Sequence, residues 1–184
     1  MRWFWIDRFD EFVRGTRAVS TKNVTLAEEP LDEYFPGLPH YPHSLIIEGM
    51  AQTGGLLLSE ASGFTKKVVL AKVGRATFHR FVLPGDQLKI VVELKDTQSA
   101  GAIAEGKAYI GDTLQAEVEL WFAILGSGFG EQPHFPPEYL MRWLRTLRLY
   151  DYAVDEQGNR LSPPSHLLDA EKQVSSGIVS PEES

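Results

Sequence analysis

HSLIIEGMAQTGGLLLSEASG, residues 43–63, is the stretch around which the rest of the chain arranges itself. At helical pitch Leu45, Ile46, Ile47, Met50, Ala51, Leu56, Leu57 and Leu58 point in every direction, which predicts a helix enclosed by the rest of the protein. Gly49, Gly54 and Gly55 each lower helix propensity by about 1 kcal/mol relative to alanine. Close packing against another backbone is the expected reason for them. Inside this apolar run stands one acid, Glu48, with Gln52 one turn later on the same face.

Upstream, residues 3–13 and 16–26 read as two strands joined at Arg14-Gly15. The loop from Ala27 to Pro42 carries Pro30, Pro36, Pro39 and Pro42 and cannot be helix interior. Downstream, 68–78, 88–95, 102–110 and 113–125 read as strands, with Gly111-Asp112 as a hairpin turn. A hairpin, one buried helix and an antiparallel meander make an α+β arrangement over residues 1–125. Gly126, Gly128 and Gly130 then open a linker, followed by a short amphipathic helix over 138–149, so that 126–152 forms a separate segment. In that helix Arg142, Arg145 and Arg148 lie opposite the apolar face, as a solvated side or a docking stripe for an acidic partner. Residues 153–184, rich in serine, proline, glycine and acids, are expected to be a disordered tail.

The net charge of −7 is uneven: residues 150–184 hold seven acids against two bases, leaving −2 for the body. A general nucleic-acid binder needs a basic field, so nucleic acid is not an expected partner. No apolar run reaches the roughly 18 residues of a membrane span, and the N-terminus lacks the features of a secretory signal. The absence of cysteine excludes disulfides and thiolate chemistry and fits the cytoplasm. No H-x-x-E-H pattern is present, and no metal is expected.

The segment YFPGLPHYPHSLIIEGMAQTGG, Tyr34 to Gly55, resembles the signature of the 3-hydroxyacyl-(acyl-carrier-protein) dehydratase family. Phe35, Pro36, Gly37, Pro39, Pro42, Leu45, Glu48, Met50, Ala51 and Gln52 fall in register without a gap, and FHRFVLPGDQL at 78–88 is similar to the family's later strand-loop-strand motif. The resemblance implies a hot-dog fold, a curved antiparallel sheet wrapped around one long central helix. It also implies a homodimer or trimer of dimers with active sites at the dimer interface. The implied partner is acyl carrier protein, whose phosphopantetheine arm brings the acyl thioester, and no other cofactor is required.

Two positions depart from the family pattern: Tyr34 stands where the family has its catalytic histidine, and His43 where it has glycine. In the related dehydratases the histidine takes the α-proton, the carboxylate works on the departing hydroxyl, and N–H groups at the helix start hold the thioester oxygen. An imidazole suits the first role because it titrates near neutrality, whereas a phenol does not. An apolar helix around Glu48 favours the neutral acid needed for the second by desolvation. The resemblance thus makes Glu48 and Tyr34 the catalytic pair, His43 and His40 possible substitute bases, and Gly37, Pro42, Ser44 and Gln52 substrate-binding positions. Each has a plainer alternative: Glu48 as a structural acid, Tyr34 packing on its loop, His40 as a solvated loop residue, Gln52 filling space. The implied reaction is dehydration of a (3R)-3-hydroxyacyl thioester to the trans-2-enoyl product. A thioesterase using Glu48 to activate water, and an acyl-binding protein without turnover, remain the other readings.

Overall fold

The structure, a computed structural model, describes residues 4–29, 31, 37–126 and 135–176. Within them the sheet runs β3-β6-β5-β4-β2-β1-β7: β1 (Arg8–Val13), β2 (Arg17–Asn23), β3 (Lys67–Phe78), β4 (Gln87–Gln98), β5 (Gly101–Ile110), β6 (Thr113–Leu125) and β7 (Ala153–Val154). All neighbours are antiparallel except the short β1–β7 pair. One long helix, α1 (His43–Glu60), lies against β2 to β6, which is the hot-dog arrangement.

The reason these strands take this face is the period-two pattern. Leu88, Ile90 and Val92 of β4, Ala102, Ala104 and Ala108 of β5, and Val118, Leu120 and Phe122 of β6 all turn inward onto the helix. The small residues of β5 leave room for α1. Gly49 and Gly54 complete the fit: a Cβ at Gly49 would stand 2.9 Å from Ile90 and 3.0 Å from the carbonyl oxygen of Trp5. One at Gly54 would stand 2.9 Å from the Phe122 ring. Close packing therefore explains both glycines. The outward side carries a chain of ion pairs, within and across strands, from Glu11 through Arg17, Glu93, Lys95, Glu105 and Lys107 to Glu117, each of small individual worth.

Three expectations need correction. First, α1 is not enclosed on every side by its own chain. Leu45, Glu48, Gln52, Gly55, Leu56 and Ser59 are only half-buried, and their spacing draws one stripe along the helix. Second, the first strand begins at Arg8, and residues 4–7 run as an irregular segment across α1. Third, the tail is structured as far as Ser176. After α2 (Pro137–Thr146), Arg148 takes a left-handed conformation and leads into α3 (Leu149–Tyr152) and β7, which pairs Ala153 with Phe12. Then α4 (Ser165–Ser175) packs on α2, with Leu167 buried and Arg145 bound to Glu171. Composition missed this because a few apolar residues, Leu149, Ala153 and Leu167, dock onto a surface already built by the body. The arginine stripe is also partly occupied, since Arg148 pairs with Asp151. Among the described residues no helix is long and apolar enough to cross a membrane.

Candidate functional site

Pro42 precedes α1 in an extended conformation and gives it no side-chain cap. Its carbonyl accepts from Leu45 and Ile46, so the N–H groups of His43 and Ser44 have no intrahelical acceptor and face outward from the helix start. Ser44 is exposed, and Gly37 upstream adopts φ 91, a conformation that glycine reaches without a steric cost.

His43 and His40 form an aromatic cluster with the end of β3 and the loop after it. The His43 ring stacks on Phe78 at 4.0 Å with the planes 3° apart, and Phe81 lies 4.4 Å from the His40 ring. Burial, then the neighbouring His40, pushes the His43 imidazole below its ordinary pKa. Its Nε2 is shut away from solvent and has no hydrogen-bond partner. His40 is not a solvated loop residue: it is buried, and its Nδ1 lies 3.0 Å from the Leu38 carbonyl oxygen. A carbonyl only accepts, so Nδ1 carries the proton.

Glu48 sits one and a half turns further on, roughly 140° around α1 from His43. The Gln52 amide donates to its carboxylate at 3.0 Å, and the Gln52 carbonyl oxygen accepts from the Trp5 N–H at 2.9 Å. Gln52 thus orients Glu48, one of the two alternatives open from sequence. The structure brings Glu48 to Gln52 and His40 to His43, but it does not bring the two pairs together on one side of the helix. Tyr34 lies outside the described residues. Among those described, no group of three or more His, Asp or Glu side chains is placed to hold a metal ion.

Sequence reasoning made Glu48 the one ionisable group of an enclosed helix, and this is corrected. Among the described residues the fully buried carboxylate is Glu60, whose two oxygens accept from Nε and Nη2 of Arg14 at 2.7 Å each. Tyr150 packs beside it, its phenol pushed above the ordinary range by burial first and the Glu60 charge second. Glu60 follows the buried Leu57 by three residues, a spacing that puts it on the same core-facing side. His79 is exposed, with Nε2 3.4 Å from Glu117.

A family model described as FabA-like domain matches residues 4–119. The chain belongs to that family. Among curated relatives, the 3-hydroxyacyl-(acyl-carrier-protein) dehydratase FabZ of Symbiobacterium thermophilum is 40% identical over 127 residues, covering 68% of this chain and 89% of that one. The protein of the same name from Pelotomaculum thermopropionicum is 42% identical over 120 residues, covering 65% and 86%. Among solved structures, the dehydratase heterocomplex ApeI:P from Xenorhabdus doucetiae superposes with a TM-score of 0.57 at 15% identity, covering 67% of this chain and 84% of that one. The conserved protein PA5202 from Pseudomonas aeruginosa gives 0.54 at 19%, covering 64% and 87%. These two similarities carry the fold. The FabA-like match includes β1 to β5, α1 and the Trp5–Gln52–Glu48 chain, and stops before α2, α3, β7 and α4.

Proposed function

We propose that this FabA-like protein removes water from a (3R)-3-hydroxyacyl thioester carried on an acyl carrier protein, giving the trans-2-enoyl thioester. The observation that carries the reading is Glu48, held by a hydrogen-bonded amide on the uncovered stripe of α1, in a chain 40% identical to a curated dehydratase of that name. In this reading a base takes the C2 proton, Glu48 works on the hydroxyl leaving C3 as water, and the His43 and Ser44 N–H groups receive the thioester oxygen. The steps are proton transfers, so the pantetheine arm of the carrier is the one prosthetic group required. The cytoplasm suits a cysteine-free chain of this kind.

His43 is a fitting substitute base. Its lowered pKa keeps the ring neutral near pH 7, and the tautomer with its lone pair on the enclosed, unpartnered Nε2 acts as base once a substrate reaches that atom. His43 and Glu48 diverge around one helix, so a site using both draws them from two protomers. A homodimer supplies this. Two features support it: the half-buried stripe on α1, and β3, a twelve-residue edge strand exposing Leu70 and Val73. A monomer in light scattering at micromolar concentration removes the arrangement.

The testing experiment is incubation with 3-hydroxyacyl and trans-2-enoyl carrier thioesters, followed by mass spectrometry of the carrier. Interconversion of the two supports the dehydratase, and free acid identifies a thioesterase. Tyr34, in the family's histidine position, favours one other reading, an acyl-binding protein without turnover. Tyr34→His is expected to raise the dehydration rate by at least about 10-fold if Tyr34 is the limiting position. If neither protein converts any substrate, the acyl-binding reading takes over.

A further inference from the structure

We propose that the C-terminal segment, acting through Trp143 of α2, is part of the apparatus that aims Glu48. This rests on the reading of Glu48 as the catalytic carboxyl and extends it to residues beyond the FabA-like match.

The inference starts from the Gln52 amide, whose two ends are chemically different. The Trp5 N–H can only donate, so it fixes the oxygen of Gln52 toward itself and thereby turns the nitrogen toward Glu48. If Trp5 moved away, the Gln52 oxygen would lose the donor that anchors it, and the side chain could swing its nitrogen off Glu48. The orientation of Glu48 therefore depends on where the Trp5 backbone lies.

Trp5 lies in the irregular segment ahead of β1, outside any strand ladder. Buried Ile6 and the Asp7 N–H bond to the Thr21 carbonyl anchor the end of that segment nearer β1, and three further contacts bear on Trp5 and its neighbour Phe4. The segment's backbone crosses α1 at Gly49, close enough that a Cβ there would reach the Trp5 carbonyl. The Trp5 ring meets Tyr41 edge-on at 6.4 Å. The neighbouring Phe4 ring meets Trp143 edge-on at 5.2 Å and 77°. Trp143 is itself backed by Phe135 at 4.7 Å. It stands on a helix anchored by buried Leu140, Met141 and Leu144 and tied to α4 through Arg145–Glu171. One line of contacts thus runs from α2 through Phe4, Trp5 and Gln52 to Glu48. Trp143 is a positioning residue in this line and touches no substrate.

The test uses the full chain and two kinds of readout: hydrogen exchange at the Trp5 backbone amide, and kcat and KM for hydration of a trans-2-enoyl thioester. Trp143→Ala is expected to speed Trp5 exchange by at least about 10-fold. It should also lower kcat by about 10-fold with KM little changed, as fits a misplaced reacting group. Trp143→Phe, which keeps an aromatic edge against Phe4, should restore both. In a Gln52→Leu background Trp143→Ala should cost nothing further, because the line is already cut. Phe4→Leu breaks the same contact without touching the core of α2, and so decides the matter if Trp143→Ala fails to fold. Unchanged Trp5 exchange overturns the proposal, as do faster exchange with unchanged kcat, or losses that simply add in the double variant. If the wild type turns over no thioester, the dehydratase reading fails. Trp5 exchange and the Gln52 side-chain amide resonance then still decide whether Trp143 sets that amide.

Discussion

Two carboxylates stand at opposite ends of α1, Glu48 and Glu60, about 18 Å apart along the axis. Glu60 is 0% exposed, receives a two-pronged bond from Arg14, and lies under Tyr150 of the C-terminal segment. Glu48 is half-buried and takes a single bond from a neutral amide. A buried charge needs a partner that saturates it, and Arg14 does this with fork geometry. That pairing also keeps both Glu60 oxygens inside the core and away from any substrate. Glu48 is oriented but unsaturated, which is the condition a reacting carboxyl needs. The difference teaches that the better-paired acid of a helix belongs to the fold, and the less-paired one to the chemistry.

The sharpest way to break this comparison is to remove the titrating group from each end. Glu48→Gln keeps the shape and the stripe, and the dehydration rate is expected to fall by at least about 100-fold. The melting temperature should stay within a few degrees of wild type, since no saturated pair is lost. A rate within about threefold of wild type would transfer the chemistry to another residue.

At the other end the effect should move from rate to stability. Arg14→Ala leaves Glu60 charged and buried. Removing one partner of a buried pair costs about 3–5 kcal/mol, and here about 2–3 is expected, because Arg14 is 43% exposed and water can enter its place. Denaturant unfolding measures the loss, and turnover per folded molecule should not change. The double variant Arg14→Leu with Glu60→Leu should recover most of the stability, since an apolar pair carries no desolvation cost. If Arg14→Ala slowed turnover instead, Glu60 would belong to the site and the division between the two acids would collapse.

How much of this was legible beforehand follows from the kind of signal each feature leaves. The helix over 43–60 and the positions of the later strands were readable because period 3.6 and period 2 are local patterns, but the expected meander was not the observed order, since β3 pairs with β6 at the far edge rather than with β4. Glu48 and Gln52 were readable as a pair because they lie one turn apart. Glu60 was passed over because its partner Arg14 is 46 residues away, in a turn that looks solvated. The Trp5–Gln52 bond spans 47 residues and uses a backbone N–H, which no side-chain pattern records. The C-terminal segment was read as disordered because serine, proline, glycine and acids dominate it. Yet β7 is two residues long and has no period to detect, and it is held by the edge of β1 it covers. Contacts between distant segments, rather than local propensity, account for these misreadings.

The smallest expected effect concerns His43, the titrating group at the site end of the same helix. Its folded pKa lies below the ordinary 6.5 because burial disfavours the imidazolium, with the neighbouring His40 adding to this. The unfolded chain therefore binds more protons than the folded one just below pH 6.5, and stability must rise with pH in that window. Stability is fully present above about pH 6.5 and is lost as the pH falls toward the folded pKa. One proton bounds the slope at about 1.4 kcal/mol per pH unit. His43→Phe keeps an aromatic ring against Phe78 and removes the titration, so its unfolding free energy should lose this part of the slope. The rate distinguishes two roles for the same residue. If His43 is the base, His43→Phe abolishes turnover, and the acid limb of the wild-type rate profile falls below pH 6.5, following the neutral imidazole. If turnover survives while the stability slope flattens, His43 only packs on Phe78, and Tyr34 or His40 must supply the base.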